Sequence, residues 1–168
     1  IHIAHNLPIK RTEWHDKILK GINENSIVII KSSSGQGKST LAWQTSFDLK
    51  LGGYSVYELK YCNDNTNVAS LFDFVESRVQ IGELPIIVID GLNNTLSEYY
   101  ELIDRTHFLP VKFIITTRQV DWYRYGLDLS KANTRIIDIS LSLDEAKMIF
   151  LELKKRNKVH SDISNWQS

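Results

Sequence analysis

The chain has 168 residues, a length that suits one domain able to bury roughly 70% of its unfolded surface. Its 20 basic and 20 acidic residues cancel, which removes the overall electrostatic footprint of a nucleic-acid or anionic-membrane binder. Cys62 is the single cysteine, which rules out an internal disulfide and suits a reducing, cytoplasmic compartment, and no apolar run approaches the ~18 residues of a membrane span.

Residues 1–10, with Pro8 against helix, read as an extended lead-in. Thr12 is placed to cap a helix over 12–22, with Trp14, Ile18, Leu19 and Ile22 on one face. Ile27, Val28, Ile29 and Ile30 form a short β-branched run, suited to a strand covered on both faces. A glycine-containing loop follows, then a helix over 38–51 stopped by Gly52 and Gly53. Residues 54–59 predict a second strand, 62–67 a loop and 68–81 a helix with Val68, Leu71, Phe72, Val75 and Val79 in register.

Residues 86–90 predict a third strand ending on Asp90, followed by a loop over 91–95 and a helix over 97–106. Residues 112–116 predict a fourth strand. Residues 117–130 read as irregular, with one helical turn near Trp122, before a fifth strand over 135–139. Ser142 and Glu145 match a capping box opening a helix to about residue 156, and the last dozen residues are polar and expected to leave the core. Met148 is the only methionine, so Ile1 is not an initiator and the sequence is expected to be an excerpt or a processed chain.

Strand–helix alternation with apolar strands argues an α/β fold with a mostly parallel sheet. Ligands of such sheets lie beyond the carboxyl ends of the strands, and Lys38, Asp90 and Arg118 all fall just past strand ends.

The chemistry concentrates in Ser34, Gly35, Gln36, Gly37, Lys38, Ser39 and Thr40. Strand, glycine loop, Lys-Ser and helix form the layout of a phosphate-binding loop. Gly35 and Gly37 let main-chain N–H groups turn toward an anion, and the helix start adds partial positive charge. Lys38 is expected to reach the β- and γ-phosphates and Ser39 to ligate Mg²⁺. Ser32 stands where the first glycine of the usual spacing is expected, which costs backbone freedom rather than space. The plainer reading is a Gly/Ser loop joining a strand to a helix.

Asp90 suits the Mg²⁺ shell opposite Ser39, or a turn carboxylate before Gly91. Arg118 suits a γ-phosphate contact, or a surface arginine with a salt partner. Arg11, just before the first helix, is read as touching the nucleotide or as solvated. The five histidines show no metal spacing and are read as surface or packing residues.

Together these residues resemble the STAND class of signal-transducing P-loop ATPases, which holds the NACHT and NB-ARC switch domains. The resemblance runs over nearly the whole chain. It is carried by the lead-in from Leu7 through Arg11 to Glu13, the loop from Ser34 to Ala42, the Ile86 to Leu92 segment that resembles the NACHT-type second signature, the Phe113 to Arg118 segment that resembles the sensor strand, and the segment from Ile139 to Phe150. It implies a three-layer sandwich with five strands in the order 5-1-4-3-2, and a P-loop domain over 1–140 followed by the start of a helical second module, or a tail, over 141–168. It also implies an Arg11 bordering the adenine, an Arg118 facing the γ-phosphate, ATP/ADP with Mg²⁺, and effector and sensor domains in cis. ATP exchange and self-association would switch the effector on, in bacterial members commonly against phage.

One departure bears on chemistry. NACHT-type sequences follow Asp-Gly-Leu with acidic residues, whereas Asn93 and Asn94 stand here and cannot take a proton. Nucleotide binding with slow or absent hydrolysis is therefore expected. The runner-up is an AAA-like ATPase acting on nucleic acid or protein, which expects an acid right after Asp90, where Gly91 stands. A nucleotide or small-molecule kinase would need an arginine lid, and only Tyr123-Arg124-Tyr125 offers one. A scaffold without nucleotide is disfavoured by Lys38 and Ser39.

Overall fold

The computed structural model describes residues 9–60, 62, 65–92, 96–125 and 133–156. The expectations for residues 1–8, for Asn93 and Asn94, and for the terminal tail lie outside the described residues.

In chain order the elements are α1 (Thr12–Glu24), β1 (Ile27–Ser32), α2 (Lys38–Leu51), β2 (Ser55–Glu58), α3 (Asn65–Gln80), β3 (Pro85–Leu92), α4 (Leu96–Thr106), β4 (Lys112–Arg118), α5 (Gln119–Tyr125), β5 (Thr134–Asp138) and α6 (Leu143–Lys155). The five strands form one sheet in the order β2-β3-β4-β1-β5, with every neighbouring pair parallel. Read from the other edge, that is the order implied by the resemblance.

Period-two alternation in β1 explains the layering. Ile27 and Ile29 point into one apolar cluster with Val75, Ile87, Ile89, Leu102, Phe113 and Ile115. Val28 and Ile30 point into the other, with Ile18, Ile22, Leu41, Ile86, Val88, Ile114 and Ile137. The sheet is thus sandwiched between α3 and α4 on one side and α1 and α2 on the other. β1 is buried throughout its first four residues, so truncating Ile29 or Ile30 to alanine should cost about 2–5 kcal/mol.

Several elements differ from the sequence-based expectation, and α3 already begins at Asn65, inside the expected 62–67 loop. Thr12 is the first helical residue rather than the cap of α1; the cap position belongs to Arg11, whose guanidinium has no acceptor for the first helical N–H groups and so makes no capping bond. β3 does not stop at Asp90 but resumes at Leu92, which pairs with Thr117 across an irregularity at Asp90–Gly91. Gly91 has φ +77°, the left-handed conformation that absorbs the irregularity.

β4 correspondingly runs two residues past Thr116, because Thr117 and Arg118 still find partners on β1, and Thr117 Oγ1 donates to the Leu92 carbonyl at 2.9 Å. The helical turn expected near Trp122 is present and longer, the seven-residue helix α5, whose Trp122 packs against the α3/α4-side cluster.

The Ser142 cap is found: its Oγ accepts from Glu145 N at 3.1 Å. The Glu145 carboxylate, however, is held by Arg11. Lys112 secures the far end of α1 by donating to the Ile22 and Asn25 carbonyls. These are carbonyls at a helix end, where a cation is favoured.

Candidate functional site

A cleft of about 610 Å³ opens beyond the carboxyl ends of β1, β3 and β4, within the size range of nucleotide and cofactor pockets. Its lining joins Ser34, Gly35, Gly37, Lys38, Ser39 and Thr40 from the loop and helix start to Gly91, Thr116, Thr117, Arg118 and Asp121. Loop geometry follows from the glycines. Gly35 and Gly37 take φ +77° and +82°, and Gly37 is the N-cap of α2. The leading N–H groups of α2 have no partner within the helix and carry the positive end of its dipole.

Lys38 Nζ arches back over its own loop, donating to the Ser33 carbonyl at 2.8 Å and, more weakly, to the Ser32 carbonyl and hydroxyl at 3.3 and 3.2 Å. Ser32, where a glycine is usual, is buried and contributes an extra acceptor to that lysine. Burial lowers the Lys38 pKa from the usual lysine value; the Arg118 guanidinium lowers it further and the Asp90 carboxylate pulls the other way. Two cations that disfavour each other's charge across a cleft are relieved when an anion enters.

Asp90 is gripped from both sides. Ser39 Oγ donates to its Oδ1 at 2.8 Å, and Thr116 Oγ1 donates to the same oxygen at 2.5 Å. Thr116 in turn accepts the Gly91 N–H at 2.7 Å, so one relay of hydroxyls and amide ties β3, β4 and α2 together. Ser39 and Asp90 present hard oxygen donors side by side, which fits Mg²⁺ sharing its remaining positions with water and phosphate oxygens.

The structure thus brings together Lys38, Ser39, Asp90 and Arg118 from two strand ends and a helix start. Two of the sequence candidates point elsewhere. Gln36 turns its side chain to accept the Leu141 N–H at 2.6 Å, and its carbonyl accepts Arg11 Nη1 at 2.6 Å. Arg11 is neither solvated nor among the cleft's lining residues, and spends four of its five N–H groups on Gln36, Ser140 and Glu145.

Sequence reasoning missed three residues. Thr116 reads in sequence as part of a strand. Asp121 falls in a stretch that reads as irregular, although a carboxylate three residues past Arg118 is a helix-start signal. Glu145 reads only as a capping partner.

This arrangement of loop, lysine and serine-bound strand aspartate is that of the P-loop NTPases, and the chain is an NTPase module of that class. Within it, the chain belongs to the family described as Novel STAND NTPase 3, whose sequence profile matches residues 10–158.

Solved structures agree on the fold. A chain of the HORMA:CdnC:Trip13 complex of E. coli MS115-1 is 18% identical with a TM-score of 0.64, over 92% of this chain and 69% of that one. AMPPCP-bound DnaA from Aquifex aeolicus is 15% identical with a TM-score of 0.56, over 89% of this chain and 52% of DnaA. C. elegans PCH-2 is 16% identical with a TM-score of 0.56, over 93% and 52%. The chain therefore spans about half of the DnaA and PCH-2 chains. No curated protein matches the sequence significantly. Among the described residues no helix is long and apolar enough to cross a membrane.

Proposed function

We propose that the cleft binds ATP or ADP with Mg²⁺ and that the chain is the nucleotide-dependent switch module of a larger STAND signalling protein. The observation that carries this reading is the Ser39–Asp90 contact at 2.8 Å beside Lys38 and Arg118. Lys38 and Arg118 would hold the β- and γ-phosphates, and the α2 start with Gly35 and Gly37 would supply main-chain donors. Ser39 and Asp90 would hold the Mg²⁺, which would supply positive charge to offset that of the phosphates. AMPPCP in the Aquifex DnaA structure supports an adenine nucleotide as the ligand.

Slow turnover is part of the proposal. Asp90 Oδ1 already accepts two hydroxyls, which suits a fixed metal ligand more than a proton acceptor. A switch stores its signal in the bound state and does not need fast chemistry. Self-association, effector and sensor domains in cis, a cytoplasmic location and a role against phage are further parts of the reading, supported by the family resemblance.

Calorimetric titration with ATP and ADP, with and without Mg²⁺, tests the proposal, with a single-turnover hydrolysis assay beside it. Micromolar binding with hydrolysis slower than about one per minute is the expected result. Absence of heat with either nucleotide would overturn it, and rapid turnover stimulated by added DNA would favour an AAA-like motor instead.

A further inference from the structure

Arg11 joins three separate stretches of chain. Its side chain is only 7% exposed. Nη1 donates to the Gln36 carbonyl in the phosphate loop at 2.6 Å, and Nη2 donates to the Ser140 carbonyl between β5 and α6 at 2.5 Å. Nε and Nη2 also grip both carboxylate oxygens of Glu145 on α6, at 2.5 and 2.8 Å. Gln36 returns the link, its side-chain oxygen accepting the Leu141 N–H at 2.6 Å. The loop and the start of α6 are thus tied twice, through both ends of one glutamine.

The peptide between Gln36 and Gly37 is a rigid plane, with the Gln36 carbonyl and the Gly37 N–H on opposite edges. Gly37 lines the cleft and, at φ +82°, has little intrinsic preference that would hold it there. Anchoring the carbonyl therefore sets the direction of the Gly37 N–H. The anchor itself is held by Glu145, in a mostly desolvated, two-pronged pair of the strong kind.

Phe150 is the one buried residue of α6 among those described, and it stands outside both apolar clusters, while Leu143, Met148 and Leu151 are 57%, 68% and 50% exposed.

We infer that Arg11 is a positioning residue for the phosphate cradle rather than a nucleotide contact, and that Glu145 makes its grip depend on where α6 is docked. This rests on the reading that the cleft takes a nucleotide. Nucleotide occupancy and α6 docking then share one coupling energy, and each strengthens the other. A partner that pulled α6 away would loosen the nucleotide, and nucleotide loss would free α6.

The test titrates a fluorescent ATP analogue into wild type, Glu145→Gln and Arg11→Lys, and follows amide hydrogen exchange over residues 143–155 with and without ATP. Glu145 does not line the cleft. Glu145→Gln should nonetheless weaken binding about tenfold, and Arg11→Lys, which keeps the charge but loses the fork, should match it. The double variant should bind no worse than either single one. ATP should slow exchange in α6 of wild type and not of Glu145→Gln.

Wild type that binds ATP with α6 exchange unchanged, together with Glu145→Gln binding at wild-type affinity, overturns the coupling alone. Wild type that binds no adenine nucleotide overturns the nucleotide reading and this inference with it. Should a variant fail to fold, the wild-type exchange measurement decides, since it needs no substitution.

Discussion

Ser39 Oγ lies 2.8 Å from Asp90 Oδ1, joining the first turn of α2 to the end of β3 across 51 positions of sequence. The contact exists because β1 and β3 flank β4 in a parallel sheet, which brings their carboxyl ends to one edge of the molecule. Thr116 of β4 closes the set by donating to the same oxygen.

Thr116→Val keeps the side-chain shape but removes the donor to Asp90 and the acceptor for the Gly91 N–H. The Asp90 carboxylate would be less well oriented. The Mg²⁺ concentration needed for half-maximal ATP binding should rise about tenfold, within the 10–100-fold range typical when support for a metal ligand is lost. Thr116→Ser, which restores the hydroxyl, should recover most of it. An unchanged Mg²⁺ midpoint in Thr116→Val would remove Thr116 from the site.

Lys38→Ala should abolish tight nucleotide binding while leaving the fold intact. The lysine's bonds go to its own loop, so no distant element loses an anchor. Losing one charge-assisted bond to phosphate costs about 1.5–3 kcal/mol, roughly 10–150-fold in affinity. Calorimetry gives the affinity, and an unshifted thermal midpoint confirms the fold.

The lowered Lys38 pKa gives a pH prediction. The phosphate needs the ammonium form, so affinity should hold at neutral pH and fall as pH rises through a value below the ordinary lysine 10.5. Arg118→Gln removes a cation that depresses that pKa, so the alkaline fall should move to higher pH even as neutral-pH affinity drops. Binding measured from pH 7 to 10.5 in both proteins checks the direction of the shift.

Asp121 puts a carboxylate on the wall of a cleft proposed to hold phosphates. Asp121→Asn removes a like charge at similar size, and ATP affinity should rise about three- to tenfold, more at low salt than at high salt. Weaker binding on substitution would instead make Asp121 part of the Mg²⁺ or water shell.

Lys112→Met keeps the apolar stem and removes the ammonium that serves the Ile22 and Asn25 carbonyls. Stability should fall by about 1–2 kcal/mol in urea unfolding, with ATP affinity unchanged. Burial lowers the Lys112 pKa, so near that pKa the unfolded chain binds more protons than the folded one. Its contribution to stability therefore grows as pH rises toward the ordinary lysine value, and that slope should vanish in the methionine variant.

Much of the fold was legible because its signals are local. The β-branched run at 27–30, the Gly-Lys-Ser sequence and the strand-end Asp90 each state their conformation or chemistry within a few residues. Their meeting point follows from the general geometry of parallel sheets. The continuation of β3 through Gly91 and of β4 through Arg118 was not legible in the residue pattern, because pairing with β1 extends β4 and pairing with β4 carries β3 past a glycine that reads as a stop. Helix α5 is short, and it is legible only as one turn near Trp122.

By itself the sequence determined the phosphate loop, the order of strands and helices along the chain, and the lysine, serine and aspartate at the site, since propensity and loop chemistry act over a handful of residues. Only the tertiary structure decided where Arg11 reaches, because its carboxylate partner lies 134 positions away on α6 and is within reach only after β5 has paired with β1. A guanidinium accepts any well-placed oxygen, so its side chain carries no local mark of the choice; the docking of α6 beside the loop makes it.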